Sequence, residues 1–353
     1  MPLIEKLELF RFRNYTEAGF EFSDRRIVLT GPNGIGKTNL LEALYFLSIL
    51  RSFRTSTGRE LVRIGDREFR LRAQLNRNRL REELEIVQNL SGKRDTRIGR
   101  NRIRKSSEFI REFRAVVFVP EDRNISGGSS SFRRRFFDML ISTLDNRYLT
   151  ALSNYHRALV QRNRALKRPA DPAVAAAFEP ELSVHCPLIS EKRRIYANMV
   201  EDEVNRLLRK EIGNRFEIRY RKEYPDHAEE CLALFRKNRE REIQRGCTLA
   251  GPQLDDFEFY LDGRMLRNYG STGQIRMIAL LLKLAEFHLV RHSVREPVAV
   301  LVDDVTGELD HENLSRFLEM VSDADQQFFT FTAFPAFSEF AGAAEIFLGE
   351  KGE

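Results

Sequence analysis

The chain of 353 residues has no run approaching the roughly 18 consecutive apolar residues that a membrane-spanning helix needs. At 31% charged residues it carries too many charges for a membrane protein. Its opening stretch, MPLIEKLELFRFRNY, lacks the apolar core of a secretory signal. The expectation is a soluble, cytoplasmic chain with no membrane partner. Cysteine is scarce as well. Cys186, Cys231 and Cys247 stand apart without CxxC spacing. That excludes a disulfide framework and argues against a zinc site. Sequence repeats and low-complexity tails are also missing, so solenoid and tail-driven architectures drop out.

What is present is arginine and a polarised charge. Of 58 basic residues, 47 are Arg and 11 are Lys, against 52 acids. Residues 1–135 hold 29 basic and 17 acidic residues, and 136–296 hold 27 and 23. Residues 297–353 reverse the sign, with 2 basic and 12 acidic. A basic beginning fits an anionic partner, and an acidic end fits metal binding or internal electrostatics. Mutual neutralisation within one folded body fits equally well.

Hydrophobic 42% is enough for a sizeable core. Residues 4–10 alternate apolar and charged, Phe20 and Phe22 continue a second strand, and 25–31 is an apolar run ending in glycine. The pattern then predicts a helix from Thr38 to about Ile49, with Leu40, Leu41, Leu44 and Leu47 on one face. Strands are predicted at 69–75, 84–87 and 115–120. From about Ser131 to Ile212 the spacing turns helical, interrupted by a proline-alanine stretch at 168–181. A second long helix is predicted from Ile189 to Glu211, then a strand at 216–220 and a helix around 228–241. The last third returns to α/β, with strands at 257–261, 298–302 and 327–332 and helices from Ser271 to about His292 and from His311. The reading is an α/β domain built from both ends of the chain, residues 1–125 and 245–353, with a mainly helical lobe, 126–244, inserted.

Gly31 to Thr38, GPNGIGKT, matches GxxxxGK[ST] between a predicted strand and a predicted helix, as a phosphate-binding P-loop requires. Gly31, Gly34 and Gly36 let the backbone curl so that several N–H groups converge on one phosphate. The helix start adds a favourable partial charge. Lys37 would reach the outer phosphates, and the Thr38 hydroxyl would take a place on Mg²⁺. Far along the chain, 266 positions after Lys37, the apolar strand VAVLV ends in Asp303 and Asp304. Beside a P-loop, Asp303 would hold Mg²⁺ and Asp304 would orient or deprotonate an attacking water. Read alone, the pair is an acidic turn at a strand end. YGSTGQIR, 269–276, sets glycines before a long apolar helix. Ser271 and Gly273 form either a second phosphate cradle, serving a nucleotide bound to another copy of the chain, or a plain serine cap and turn.

These elements, in this order, resemble the ABC-type ATPase heads of the SMC-like family, and within it the RecF family of bacterial recombination and repair ATPases. The segments that carry the likeness are NGIGKTNLLEALYFLSILRSFRT (33–55), VFVPED (117–122), RRRFFDMLISTLDNRYLTALSNYHRALVQRN (133–163), LAGPQLDDFEFYLDGRMLRNYGSTGQIR (249–276) and LVDDVTGELD (301–310). They span nearly the whole chain. The RSFRT block after the P-loop helix separates it from general ABC ATPases, and the lack of a long coiled coil separates it from SMC proteins.

The resemblance implies an ABC-type P-loop head, with mixed and parallel sheet, flanking helices and an N-terminal β subdomain. It implies ATP and Mg²⁺ as ligands. Gly31, Pro32, Asn33, Gly34, Ile35, Gly36, Lys37, Thr38 and Asn39 would hold the nucleotide. Ser271, Gly273 and Gln274 would be the signature motif acting on a partner's nucleotide. Thr38 and Asp303 would bind the metal, Asp304 would be the catalytic carboxylate with Lys37, and Thr332 would be the switch residue. Glu308 to Asp310 would form the D-loop, and Glu121 the Q-loop position. The departures are Gln253 and Leu254, where the family usually has His and Arg, Gly307 for serine, and fewer threonines than usual in TFTAF.

The resemblance further implies double-stranded and gapped DNA as partner, ATP-dependent homodimerisation, and cooperation with RecR in loading RecA, in DNA repair, replication and the SOS response at the nucleoid. The residues by themselves indicate only a polyanion, since no zinc finger or helix-turn-helix is evident and arginines on phosphates carry no sequence preference. Candidate contacts are Arg51, Arg54, Arg97, Arg100, Arg102, Arg104, Lys105, Arg133, Arg134 and Arg135. For each, a solvated or internally paired arginine is the commoner reading. A transporter-type ABC subunit, another metabolic P-loop ATPase, or a scaffold that binds ATP without hydrolysing it remain alternatives.

Overall fold

The computed structural model describes residues 3–55, 57–77, 80–110, 112–167, 169–208, 215–304 and 311–349. The chain clusters into two compact units, residues 1–121 with 287–353, and 122–286. The 245–286 segment, expected with the ATPase lobe, clusters instead with the second unit.

In the first unit the elements run β1 (Ile4–Phe12), β2 (Tyr15–Glu21), β3 (Arg26–Thr30), α1 (Lys37–Ile49), β4 (Glu68–Arg77), β5 (Leu80–Asn89), β6 (Arg94–Ile98), β7 (Asn101–Ile103), α2 (Ser106–Phe109) and β8 (Arg114–Phe118). The second unit follows: α3 (Arg123–Gly127), α4 (Ser130–Leu144), α5 (Asn146–Leu166), α6 (Pro172–Ala177), α7 (Glu179–Leu208), β9 (Phe216–Arg221), α8 (Ala228–Arg245), β10 (Asp256–Leu261), β11 (Arg264–Met265) and α9 (Leu266–Tyr269). Helix α10 (Thr272–Ser293) returns the chain to the first unit, which ends with β12 (Val298–Val302), α11 (His311–Met320), β13 (Gln326–Thr330) and β14 (Ala344–Phe347).

Two sheets make the first unit. The antiparallel one has the order β2-β1-β4-β5-β6-β7. Its alternation is clean: Leu7, Leu71, Ala73, Leu84 and Ile86 are buried, while Lys6, Arg70 and Arg72 are not. The parallel one has the order β14-β3-β13-β12-β8. There β8, β12 and β13 are buried at every position, as expected of parallel strands covered on both faces. The edge strand β14 leaves Phe347 exposed. Helix α1 packs over β8, β12 and β13, and its Phe46 meets Phe69 of β4 edge-to-face at 5.7 Å. Every residue from Leu40 to Ser48 is buried. The expected one-sided helix is therefore a helix covered all round, because a sheet lies on each side of it.

The second unit packs α4, α5, α7 and α8 with a small sheet, β11-β10-β9. Phe137 stacks on Phe257 at 3.9 Å in its core. Helix α7 begins ten residues before the expected Ile189 and runs through Pro187. An interior proline usually marks a helix boundary, but here packing on α5 and α8 keeps the helix continuous. The proline-alanine stretch is itself partly helical. Asp171 caps α6 by accepting from the Val174 N–H at 3.0 Å.

Candidate nucleotide site

Strands β3, β13 and β12 lie side by side and parallel, so their C-terminal ends share one edge of the sheet. Ligands of open α/β sheets bind at that edge. The loop after β3 is the glycine-rich GPNGIGKT. Its Gly31, Gly34 and Gly36 all have positive φ, 143°, 81° and 126°. A side chain at Gly36 would start 2.7 Å from the Tyr15 hydroxyl, so the position demands glycine twice over. Helix α1 starts at Lys37 with no side-chain cap and no acid in its first turn. Its free N–H groups and positive end are left to an anion.

Lys37 Nζ donates to the Gly31 and Pro32 carbonyls at 2.5 and 2.9 Å. Desolvation lowers its pKa, opposed by Asp303 and Asp304. Just past the end of β12, Asp303 is buried and accepts from Thr38 Oγ1 at 3.0 Å and from Thr330 Oγ1 at 2.9 Å. Burial raises its pKa, the two hydroxyl bonds lower it, and Asp304 raises it again. Asp304 is exposed, with φ 53°, a left-handed conformation that aspartate tolerates. Its N–H donates to Thr330 Oγ1 at 3.0 Å. One threonine at the end of β13 thus ties both carboxylate residues together. The resemblance implies Thr332 as the switch residue. That residue lines the cleft, but Thr330 makes the bonds to Asp303 and Asp304.

The cleft over these groups is lined by Asn33, Gly34, Gly36, Lys37, Thr38, Asn39, Arg54, Asp303, Asp304, Thr330, Phe331 and Thr332. Ile35 and Pro32 belong to the same loop, and Glu121 is not among the lining residues. Thr38 Oγ1 and Asp303 Oδ1 are hard oxygen donors at one point, which suits Mg²⁺. Among the described residues there is no cluster of three or more His, Cys, Asp or Glu for a metal. Mg²⁺ seldom uses such a cage, taking one or two protein oxygens plus phosphates and water.

Ser271, Gly273 and Gln274, expected to form the signature motif, lie in the second unit. Ser271 Oγ accepts from the Gln274 N–H at 3.2 Å, and Gln274 Oε1 accepts from the Ser271 N–H at 2.9 Å. This is a reciprocal capping box at the start of α10. Ser271 and Gly273 are exposed. Gly307 and Glu308 to Asp310 lie outside the described residues. The departures at 253 and 254 take different roles. Gln253 bonds to the Tyr155 hydroxyl and the Ala250 carbonyl, while Leu254 is exposed.

The arginine candidates divide. Arg51, Arg100, Arg104 and Lys105 are exposed. Arg54 is half-exposed, donates to Asn39 Oδ1 at 2.7 Å and lies 3.6 Å from Glu42. Arg102 is exposed but paired with Asp95 at 2.7 Å, and Arg97 reaches Asp95 and Glu85 at 3.6 and 3.7 Å. Arg133 is a correction. It is buried, with Nε and Nη2 on the two Asp256 oxygens at 2.7 and 3.0 Å, so its charge is held inside the second unit. Arg134 is similarly engaged, donating to Ser130 Oγ and the Asp255 carbonyl at 2.8 and 2.6 Å.

A family model described as RecF/RecN/SMC N terminal domain matches residues 3–345. The DNA replication and repair protein RecF of Streptococcus suis (strain 05ZYH33) is 33% identical, covering 99% of this chain and 98% of that one. RecF of Lactobacillus gasseri is 32% identical, covering 93% and 92%. A solved structure of "the recombination mediator protein RecF-ATP in RecFOR pathway" superposes with a TM-score of 0.87 at 27% identity, covering 95% of this chain and 93% of that one. An SMC head bound to the C-winged helix domain of ScpA shares the fold, with a TM-score of 0.52 at 15% identity. The chain belongs to the RecF/RecN/SMC family of ABC-type ATPases and, within it, to the RecF group.

Proposed function

We propose that this chain is an ATP-dependent DNA-binding protein of recombinational repair and replication restart. The observation that carries the reading is the convergence of Lys37, Thr38, Asp303, Asp304 and Thr330 on one glycine-cradled cleft. The loop N–H groups and Lys37 bind the phosphates of ATP. Thr38 and Asp303 hold Mg²⁺, which neutralises phosphate charge when bound. Asp304 orients the attacking water and takes its proton, and Thr332 serves as the switch residue facing the outer phosphate.

Two copies close on each other with ATP between them. Ser271, Gly273 and Gln274 of each copy cap the nucleotide of the other, the capping box leaving the α10 N-terminus directed at phosphate. The closed homodimer holds duplex DNA next to single-strand gaps, with Arg51, Arg54 and Arg104 as the phosphate contacts among the candidates. Hydrolysis removes the outer phosphate and releases the dimer. RecR joins this complex in the loading of RecA, at the nucleoid in the cytoplasm.

The test is the ATPase rate with no DNA, single strands, duplex and gapped duplex. The proposal expects slow basal turnover, stimulation by duplex, and most by gapped duplex. Asp304→Asn should abolish turnover. A rate indifferent to DNA at low salt would favour a transporter-type or metabolic ATPase, since phosphate contacts strengthen steeply as salt falls.

A further inference from the structure

The turn between β1 and β2 is hydrogen-bonded to the glycine-rich loop through Asn14. It contains a left-handed non-glycine residue, Arg13, with φ 53°. Such conformations persist only where surrounding contacts over-determine them. Three consecutive side chains supply those contacts. Tyr15 donates to the Gly36 carbonyl at 3.1 Å. Asn14 Nδ2 donates to the Ile35 carbonyl at 2.9 Å, and Asn14 Oδ1 accepts from Asn39 Nδ2 at 2.8 Å. Asn39 Oδ1 in turn accepts from Arg54 Nη1 at 2.7 Å. Arg13 forks onto Glu42 at 2.7 and 2.6 Å. Glu42 is fully buried, and Ser52 Oγ donates to it at 2.5 Å while accepting from the Arg54 and Thr55 N–H groups at 2.9 and 3.0 Å.

We propose that Asn14 is a positioning residue for ATP turnover: one amide, fixed on the β1–β2 turn, sets the phosphate loop through Ile35 and the Arg54 guanidinium through Asn39. The inference rests on the ATP reading of the cleft. Two struts converge on Arg54. The Arg13–Glu42–Ser52 strut holds its backbone, with Glu42 also 3.6 Å from its guanidinium, and the Asn14–Asn39 strut accepts a hydrogen bond from that guanidinium. Only the second strut also touches the P-loop. Asn14 is therefore the point at which loop position and arginine position are coupled, and hydrogen bonds in such a chain reinforce one another. Asn39, in the first turn of α1, is the link. It has one amide oxygen and one amide nitrogen, and each is assigned to a different partner.

A double-mutant cycle on kcat/KM for Mg-ATP tests this. Asn14→Ala and Arg54→Ala should each lower kcat/KM roughly ten-fold, the loss of about one good hydrogen bond. If Asn14 acts through Arg54, the double variant should be little worse than the poorer single one. Independent losses, multiplying to roughly a hundred-fold, would overturn the coupling. So would an Asn14→Ala enzyme with wild-type kcat/KM. Urea unfolding of each variant checks the fold, and Asn14→Ser replaces Asn14→Ala in the cycle if the latter is not folded. A wild-type chain that neither binds nor hydrolyses ATP would defeat the nucleotide reading itself, a result separable from additive variants of an active enzyme.

Discussion

Thr330→Val isolates the hydroxyl that joins the two carboxylate residues. Valine fills the same space, so packing at the buried end of β13 is kept and one oxygen is lost. That oxygen donates to Asp303 at 2.9 Å and accepts from the Asp304 N–H at 3.0 Å. A hydrogen bond to a charged group contributes about 1.5–3 kcal/mol, and a neutral one about 1 kcal/mol. Part of that loss is recovered by solvent at the exposed Asp304, which leaves about 2 kcal/mol of lost positioning. Expressed wholly in the barrier, about 2 kcal/mol slows the chemical step roughly thirty-fold. Single-turnover hydrolysis of Mg-ATP measures this directly, with ATP affinity measured alongside. Affinity should change little, because Lys37 and the loop N–H groups are untouched. Thr330→Ser restores the hydroxyl and should restore most of the rate. A Thr330→Val rate within about two-fold of wild type would refute the reasoning. Equal damage from valine and serine would show that the methyl group matters, not the hydroxyl.

Two further outcomes follow from the buried arginines of the second unit. Glu179 is buried and accepts from Arg162 at 3.0 Å and from Arg239 at 2.9 and 2.6 Å. Burial alone would raise its pKa, but the bonds from Arg239 and Arg162 outweigh it and leave the carboxyl below its ordinary value. Its contribution to stability is therefore complete above the unfolded-state pKa and is lost as pH falls through the lower folded-state pKa. Glu179→Gln should cost about 3 kcal/mol in urea unfolding at pH 7. The gap to wild type should close as pH falls below about 4.5, the unfolded glutamate range. A gap of constant size down to pH 3 would contradict the assignment. Arg133→Gln should likewise destabilise by about 3 kcal/mol, since Asp256 loses its bidentate partner. Measured well below its melting temperature, the variant should keep the wild-type salt slope of DNA binding, whereas a slope smaller by about one would return Arg133 to the DNA surface.

The P-loop was legible because phosphate chemistry dictates its residue types at fixed spacing. So was β12, an unbroken apolar run ending in two carboxylates. Both are local patterns. Thr330 was missed because its role depends on register. Val302 pairs with Phe329, which brings Asp303 level with Thr330, and a pairing between strands 27 positions apart leaves no mark in either one. Glu42 left a trace that was available. It stands inside the apolar stretch from Leu40 to Leu47, and a charge in a helix buried on all sides needs a partner. The partner, Arg13, is 29 residues away, and nothing local identifies it. Arg133 illustrates the reverse error. A run of three arginines suggests a solvated basic edge, yet helical geometry turns the first of them inward onto Asp256. The start of α7 was hidden by Pro187, where tertiary packing outweighs local preference.

ATP-driven closure of two copies through Ser271 is the step on which the proposed function turns. Sedimentation of the wild type and of Ser271→Arg, with and without a slowly hydrolysed ATP analogue, measures that most directly. Mass action predicts that the wild type shifts from monomer to dimer as nucleotide saturates. Ser271→Arg should bind the analogue with unchanged affinity and remain monomeric. A wild type that stays monomeric at saturating nucleotide, or a Ser271→Arg variant that dimerises normally, would contradict the account.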